Sequence, residues 1–88
     1  MISIREVFLT DDIKSIDTIT DSERMNLNVY LLDHFGFAFK DIYSEEFNDA
    51  LKNAIMHSKK SIDIPIHIKK TINRNRDSYA EAVIFQKV

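Results

Sequence analysis

An α+β fold is what this sequence predicts: a ferredoxin-like βαββαβ sandwich with an extra C-terminal strand, its antiparallel sheet carrying two helices on one face. Three observations lead there. Apolar and polar residues alternate in "RMNLNVYL" (24–31) and again from Ile62 to Lys69, the period of a half-buried strand. After Ser44 the apolar residues recur at helical spacing instead. The turn-forming stretches "DHFG" (33–36) and "NRNRD" (73–77) punctuate the strands.

Each element follows in order. Residues 2–9, "ISIREVFL", are rich in β-formers and read as a first strand. Thr10 can cap a short helix, with Asp11 and Asp12 in its first turn where the dipole favours carboxylates, and Ile13 and Ile16 as its apolar edge. In 24–31 the apolar residues scatter around a helical circle. At period two, Met25, Leu27, Val29 and Leu31 share one face and Asn26, Asn28 and Tyr30 the other, which selects a strand. Asp33 and Gly36 suit the first and fourth corners of a type I turn, so "FAFKDIY" (37–43) returns as the partner strand.

A second helix starts at Ser44, the cap, with Glu45 and Glu46 in its first turn. Phe47, Ala50, Leu51, Ala54 and Ile55 form its stripe, and His57, Lys59 and Lys60 lie at its negative end. Ile62, Ile64, Ile66 and Ile68 then alternate with Asp63, Pro65, His67 and Lys69 as a strand, where Pro65 demands an edge or a bulge. "NRNRD" is read as a hairpin tip before a last strand, "SYAEAVIFQKV". A helix over 24–35 would change the order to β-α-β-α-β-β, that of Alba-type nucleic-acid binders.

Eighty-eight residues make a single domain, 1–88, with one modest core. Hydrophobic content of 44% beside 30% charged residues is that of an ordinary globular chain. No apolar run reaches the length of a membrane span, and "MISIREVFL" is too short and too charged for a secretory signal. The absence of cysteine removes disulfides and thiolate sites, so a cytoplasmic or nuclear location is expected. The net charge of −2 is unevenly spread. Residues 1–50 hold 4 Lys/Arg against 11 Asp/Glu, a net −7, and residues 51–88 hold 8 against 3, a net +5. One acidic and one basic surface are therefore expected.

Several chemistries are excluded. A lone glycine cannot build a Gly-rich phosphate loop. His34, His57 and His67 are widely spaced, so neither a metal nor a cofactor is expected. "ISIREVFLTDDIKSI" resembles the start of a GNAT-type acetyltransferase, but the Gly-bearing acyl-CoA loop of that family is missing. A non-enzymatic protein is expected.

"FGFAFKDI" (35–42) resembles the octapeptide of the RNA recognition motif: Gly36, Phe37, Ala38 and Phe39 match its second to fifth positions. "VFLTDD" (7–12) is similar to that family's first-strand hexapeptide, with Phe8 at the aromatic position. "YSEEFNDALKNAI" looks like its second helix and "SIDIPIHIKK" like its fourth strand, so the resemblance spans roughly residues 6–70. Phe35 stands where the family has a basic residue, Lys40 where it has a buried aliphatic, and Ile42 where it has an aromatic. The resemblance implies single-stranded RNA as partner. Bases would stack on Phe8, Phe37 and Phe39, while Lys69, Lys70, Arg74 and Arg76, with His67 beside them, face phosphates. The alternative is a protein–protein module, an inhibitor or adaptor, that uses the same sheet or its edge strand.

Overall fold

The computed structural model describes residues 16–79 and 84–86, and over them the fold is helical. A 3₁₀ turn at Ile16–Thr18 precedes helix α1 (Asp21–Phe35) and strand β1 (Phe37–Phe39). Helix α2 (Glu45–His57), a 3₁₀ turn at Ser61–Asp63, α3 (Ile64–Arg74) and the single turn α4 (Arg76–Tyr79) follow. Strand β2 (Ile84–Gln86) closes the order by pairing antiparallel with β1, Phe37 opposite Gln86 and Phe39 opposite Ile84. The ferredoxin-like sandwich is thereby overturned: two three-residue strands stand among helices in place of a sheet with helices on one face. The expected first strand and first-helix cap, Phe8 included, lie outside the described residues.

The segment read as a strand at 24–31 is the middle of α1. Thr20 and Glu23 form a capping box: the Thr20 hydroxyl accepts from the Glu23 N–H at 3.2 Å, and the Glu23 carboxylate accepts from the Thr20 N–H at 2.9 Å. At the other end Gly36 takes φ 78°, ψ 13°, and its N–H donates to Leu32. It is a left-handed C-cap, not the corner of a hairpin. Glu23, Leu27 and Leu31 are buried at i, i+4, i+8, while Met25 and Val29 are exposed on the far side. Two apolar faces on one helix scatter the residues around the circle and counterfeit a period of two.

The same confusion operates at 62–69. Ile64, Pro65, Ile68, Thr71 and Ile72 are buried along α3, the i, i+4, i+7, i+8 pattern of a core-facing helix. Ile66 falls on its outer side, and Ile62 is exposed in the 3₁₀ turn before it. Pro65 sits in the first helical turn, where its missing N–H costs nothing. "NRNRD" is no hairpin tip: Arg74 ends α3, Asn75 caps it, and Arg76 begins α4. The helix expected after Ser44 is present as α2, capped by the Ser44 hydroxyl accepting from the Phe47 N–H at 3.1 Å.

Helices α2 and α3 pair antiparallel. The Asn53 amide donates to the Thr71 hydroxyl at 2.7 Å, and one turn away the His57 and His67 rings lie 6.2 Å apart. Ala50 and Ala54 share the Asn53 face and are fully buried, so small side chains let the helices approach. At the centre of the core is Phe39, edge-to-face on Phe47 at 5.0 Å and on Tyr79 at 6.2 Å. Its backbone is held by α1: the Asn28 side-chain amide donates to the Phe39 carbonyl at 2.9 Å and accepts from the Phe39 N–H at 2.8 Å. One side chain thus satisfies both backbone groups of Phe39.

Candidate interaction surface

Phe37 and Phe39 are 8% and 1% exposed, so neither can present a face to a base. The expectation of an aromatic platform fails there for a simple reason. A three-residue strand with every residue buried has no open side, and its rings are spent on the core. Phe8 lies outside the described residues.

Of the remaining candidates, Lys70 and Arg74 are brought together, on a helix and not on a strand. Ile66, Lys70, Asn73 and Arg74 stand at i, i+4, i+7, i+8 on the outer face of α3, all exposed, with Ile62 one turn before them. Ile62 is 46% exposed and Ile66 48%. Among the described residues no acidic side chain pairs with Lys70, Arg74 or Arg76. Lys69 differs: its ammonium sits 5.0 Å from the centre of the Phe35 ring, a cation–π contact that ties α3 to the end of α1. His67 is half-buried and turned toward His57. The face is therefore an aliphatic patch continued by exposed cations.

Sequence reasoning missed a second surface. On the outer side of α1, Met25 is 59% exposed and Val29 40%, and Leu32 is half-buried beside them, at i, i+4, i+7. Asp21 and Asp33 are exposed at the two ends of this stripe. The basic residue on the helix is occupied elsewhere. Arg24 donates to the Ile42 carbonyl at 2.9 Å and to the Asn48 side chain at 2.6 Å, and lies 5.7 Å from the Phe47 ring centre. Nearby, the Tyr43 hydroxyl is held above its ordinary 10.0 by local desolvation first, and then by its hydrogen bond and proximity to Asp21. The stripe on α1 is apolar with acidic ends, the face on α3 apolar with basic ends. The uncovered spacing 25, 29, 32 was readable once α1 was taken as a helix.

No three His, Cys, Asp or Glu side chains are grouped to hold a metal among the described residues, and no described helix is long and apolar enough to cross a membrane. Comparison with known protein families, curated proteins and solved structures finds no match for the chain.

Proposed function

We propose that this domain is a non-enzymatic protein-binding module whose docking surface is the outer face of α3, and that its partner presents an acidic amphipathic helix. The supporting observation is the juxtaposition of exposed Ile62 and Ile66 with the exposed cations Lys70 and Arg74. Protein interfaces combine an apolar centre with a polar rim, and that is the composition of this face. A single-stranded nucleic acid would use the cations but not the isoleucines; it stacks on exposed aromatic faces, and Ile62, Ile66, Lys70, Asn73 and Arg74 supply none, while Phe37 and Phe39 are buried. Exposed cations beside an apolar patch select an acidic partner by charge complementarity.

The test is a pair of fluorescence-anisotropy titrations. One uses a labelled synthetic helical peptide with leucines at i, i+4 flanked by glutamates, the other a labelled single-stranded RNA, each at low and high salt. The peptide should saturate, and Ile66→Glu should weaken it by at least about tenfold, equivalent to about 1.4 kcal/mol. RNA that saturates at micromolar protein while the peptide does not would overturn the proposal. Its log–log salt slope would then run at about −0.7 per phosphate neutralised.

A further inference from the structure

We infer that the partner of the α3 face is the α1 face of a second copy of this chain. The inference rests on the protein-binding reading of α3 and names its occupant. Two observations carry it. Among the described residues two apolar stripes stand exposed, Met25–Val29 on α1 and Ile62–Ile66 running from the 3₁₀ turn into α3, and a helix that is apolar on both sides suits a second neighbour. The ends of the two stripes are opposite in sign, as are the two halves of the sequence, net −7 over residues 1–50 and net +5 over 51–88.

The spacing of the two stripes also matches. Both repeat in steps of four, so laying α1 of one copy antiparallel on α3 of the other brings Val29 onto Ile66. The same alignment places Met25 on the aliphatic stem of Lys70 and Asp21 beside Arg74. At the opposite end Asp33 comes to Ile62, next to the exposed Lys59 and Lys60. Pairing α1 with α1 would set Asp33 against Asp21, and pairing α3 with α3, Ile66 on Ile66, would bring Arg74 beside Lys59 and Lys60. Like charges oppose both self-matched arrangements, so the contact joins unlike surfaces. A contact of one helix pair belongs to the small interface class, under about 1,200 Å² in total, so association in the micromolar range is expected.

The experiment is light scattering on the full chain across about 10 to 500 µM, at low and at high salt, with two substitutions at exposed positions, Val29→Glu and Ile66→Glu. Circular dichroism checks that both variants keep the helical signal. The wild type should rise above monomer mass with concentration, less so at high salt. Each variant alone should remain a monomer, because each lacks one of the two unlike faces. Mixed in equal amounts they should associate again, through the intact α3 of Val29→Glu and the intact α1 of Ile66→Glu. A Val29→Glu chain that still self-associates would overturn the pairing, as would a mixture that stays monomeric. A wild type that is monomeric throughout yet binds the acidic peptide would overturn self-association alone and leave the α3 docking surface standing. Failure of both would remove the protein-binding reading as well.

Discussion

Replacing Asn28 with alanine removes the side chain that holds the Phe39 backbone in β1. Two hydrogen bonds go, to the Phe39 carbonyl at 2.9 Å and from the Phe39 N–H at 2.8 Å. Alanine offers nothing in return, and the residue whose groups are orphaned is the most central aromatic of the core. Each unsatisfied buried backbone group costs about 1–3 kcal/mol. Asn28 itself is half-buried, which lets water reach part of the site and argues for the lower end, about 2–4 kcal/mol for the pair. A domain of this size has about 4–13 kcal/mol in total, so the loss is a large fraction. Urea denaturation followed by circular dichroism measures it. With a slope of about 1 kcal/mol per molar for a small domain, the midpoint should fall by about 2 M or more while the slope stays constant. Asn73→Ala, at an exposed position of α3, serves as the control and should move stability by less than about 0.5 kcal/mol. An Asn28→Ala variant as stable as that control would refute the idea that the amide holds the Phe39 backbone.

Gly36→Ala should cost about 1–2 kcal/mol in the same assay: a Cβ there meets no atom within 4 Å, so the whole penalty is backbone strain at φ 78°. Thr20→Ala should cost about 1 kcal/mol by opening the capping box, with the loss visible as fraying of the first turn of α1 by amide hydrogen exchange. Tyr79 is held above its ordinary 10.0, first by burial and then by the Asp49 and Glu46 carboxylates. Its contribution is therefore complete below about pH 10 and is lost as pH rises through the higher folded value. Tyr79→Phe should lose less stability than wild type between about pH 9 and pH 11, and equal losses would refute the assignment.

How far the fold could be read depended on whether an element buries one face or two. Helix α2 has one apolar side, so Phe47, Ala50, Leu51 and Ala54 announced it, together with the Ser44 cap. Helix α1 is apolar on both sides. Leu27 and Leu31 pack inward while Met25 and Val29 point outward, and every second residue between 25 and 31 is then apolar whatever the backbone does. The decisive signals were local: Thr20-x-x-Glu23 before the run and Gly36 after it mark the ends of a helix. Across the 3₁₀ turn and α3 the four alternating isoleucines masked the longer spacing 64, 68, 71, 72, and Pro65 suited a first helical turn at least as well as a strand edge. The cationic cluster at Lys69, Lys70, Arg74 and Arg76 was legible as exposed charge. The aromatic platform was misread because phenylalanine spacing alone does not say which side of a strand is open, and β1 is buried throughout.

The pairing of β1 with β2 has a consequence for how the chain reaches its fold. Phe39 and Ile84 are partners although 45 positions separate them, whereas α2 and α3 are joined by a turn of a few residues. Contacts between near neighbours form before those that must close a long loop, because loop-closure entropy has to be overcome first. The α2–α3 pair is then the natural nucleus, and the ladder a late clasp drawn around it. Weakening the clasp, for example by Ile84→Ala, should speed unfolding and leave the folding rate nearly unchanged, while Ala54→Gly inside the nucleus should slow folding. The resistance of the native state to opening would accordingly be controlled from the two ends of this long loop, far in sequence from the helices that assemble first.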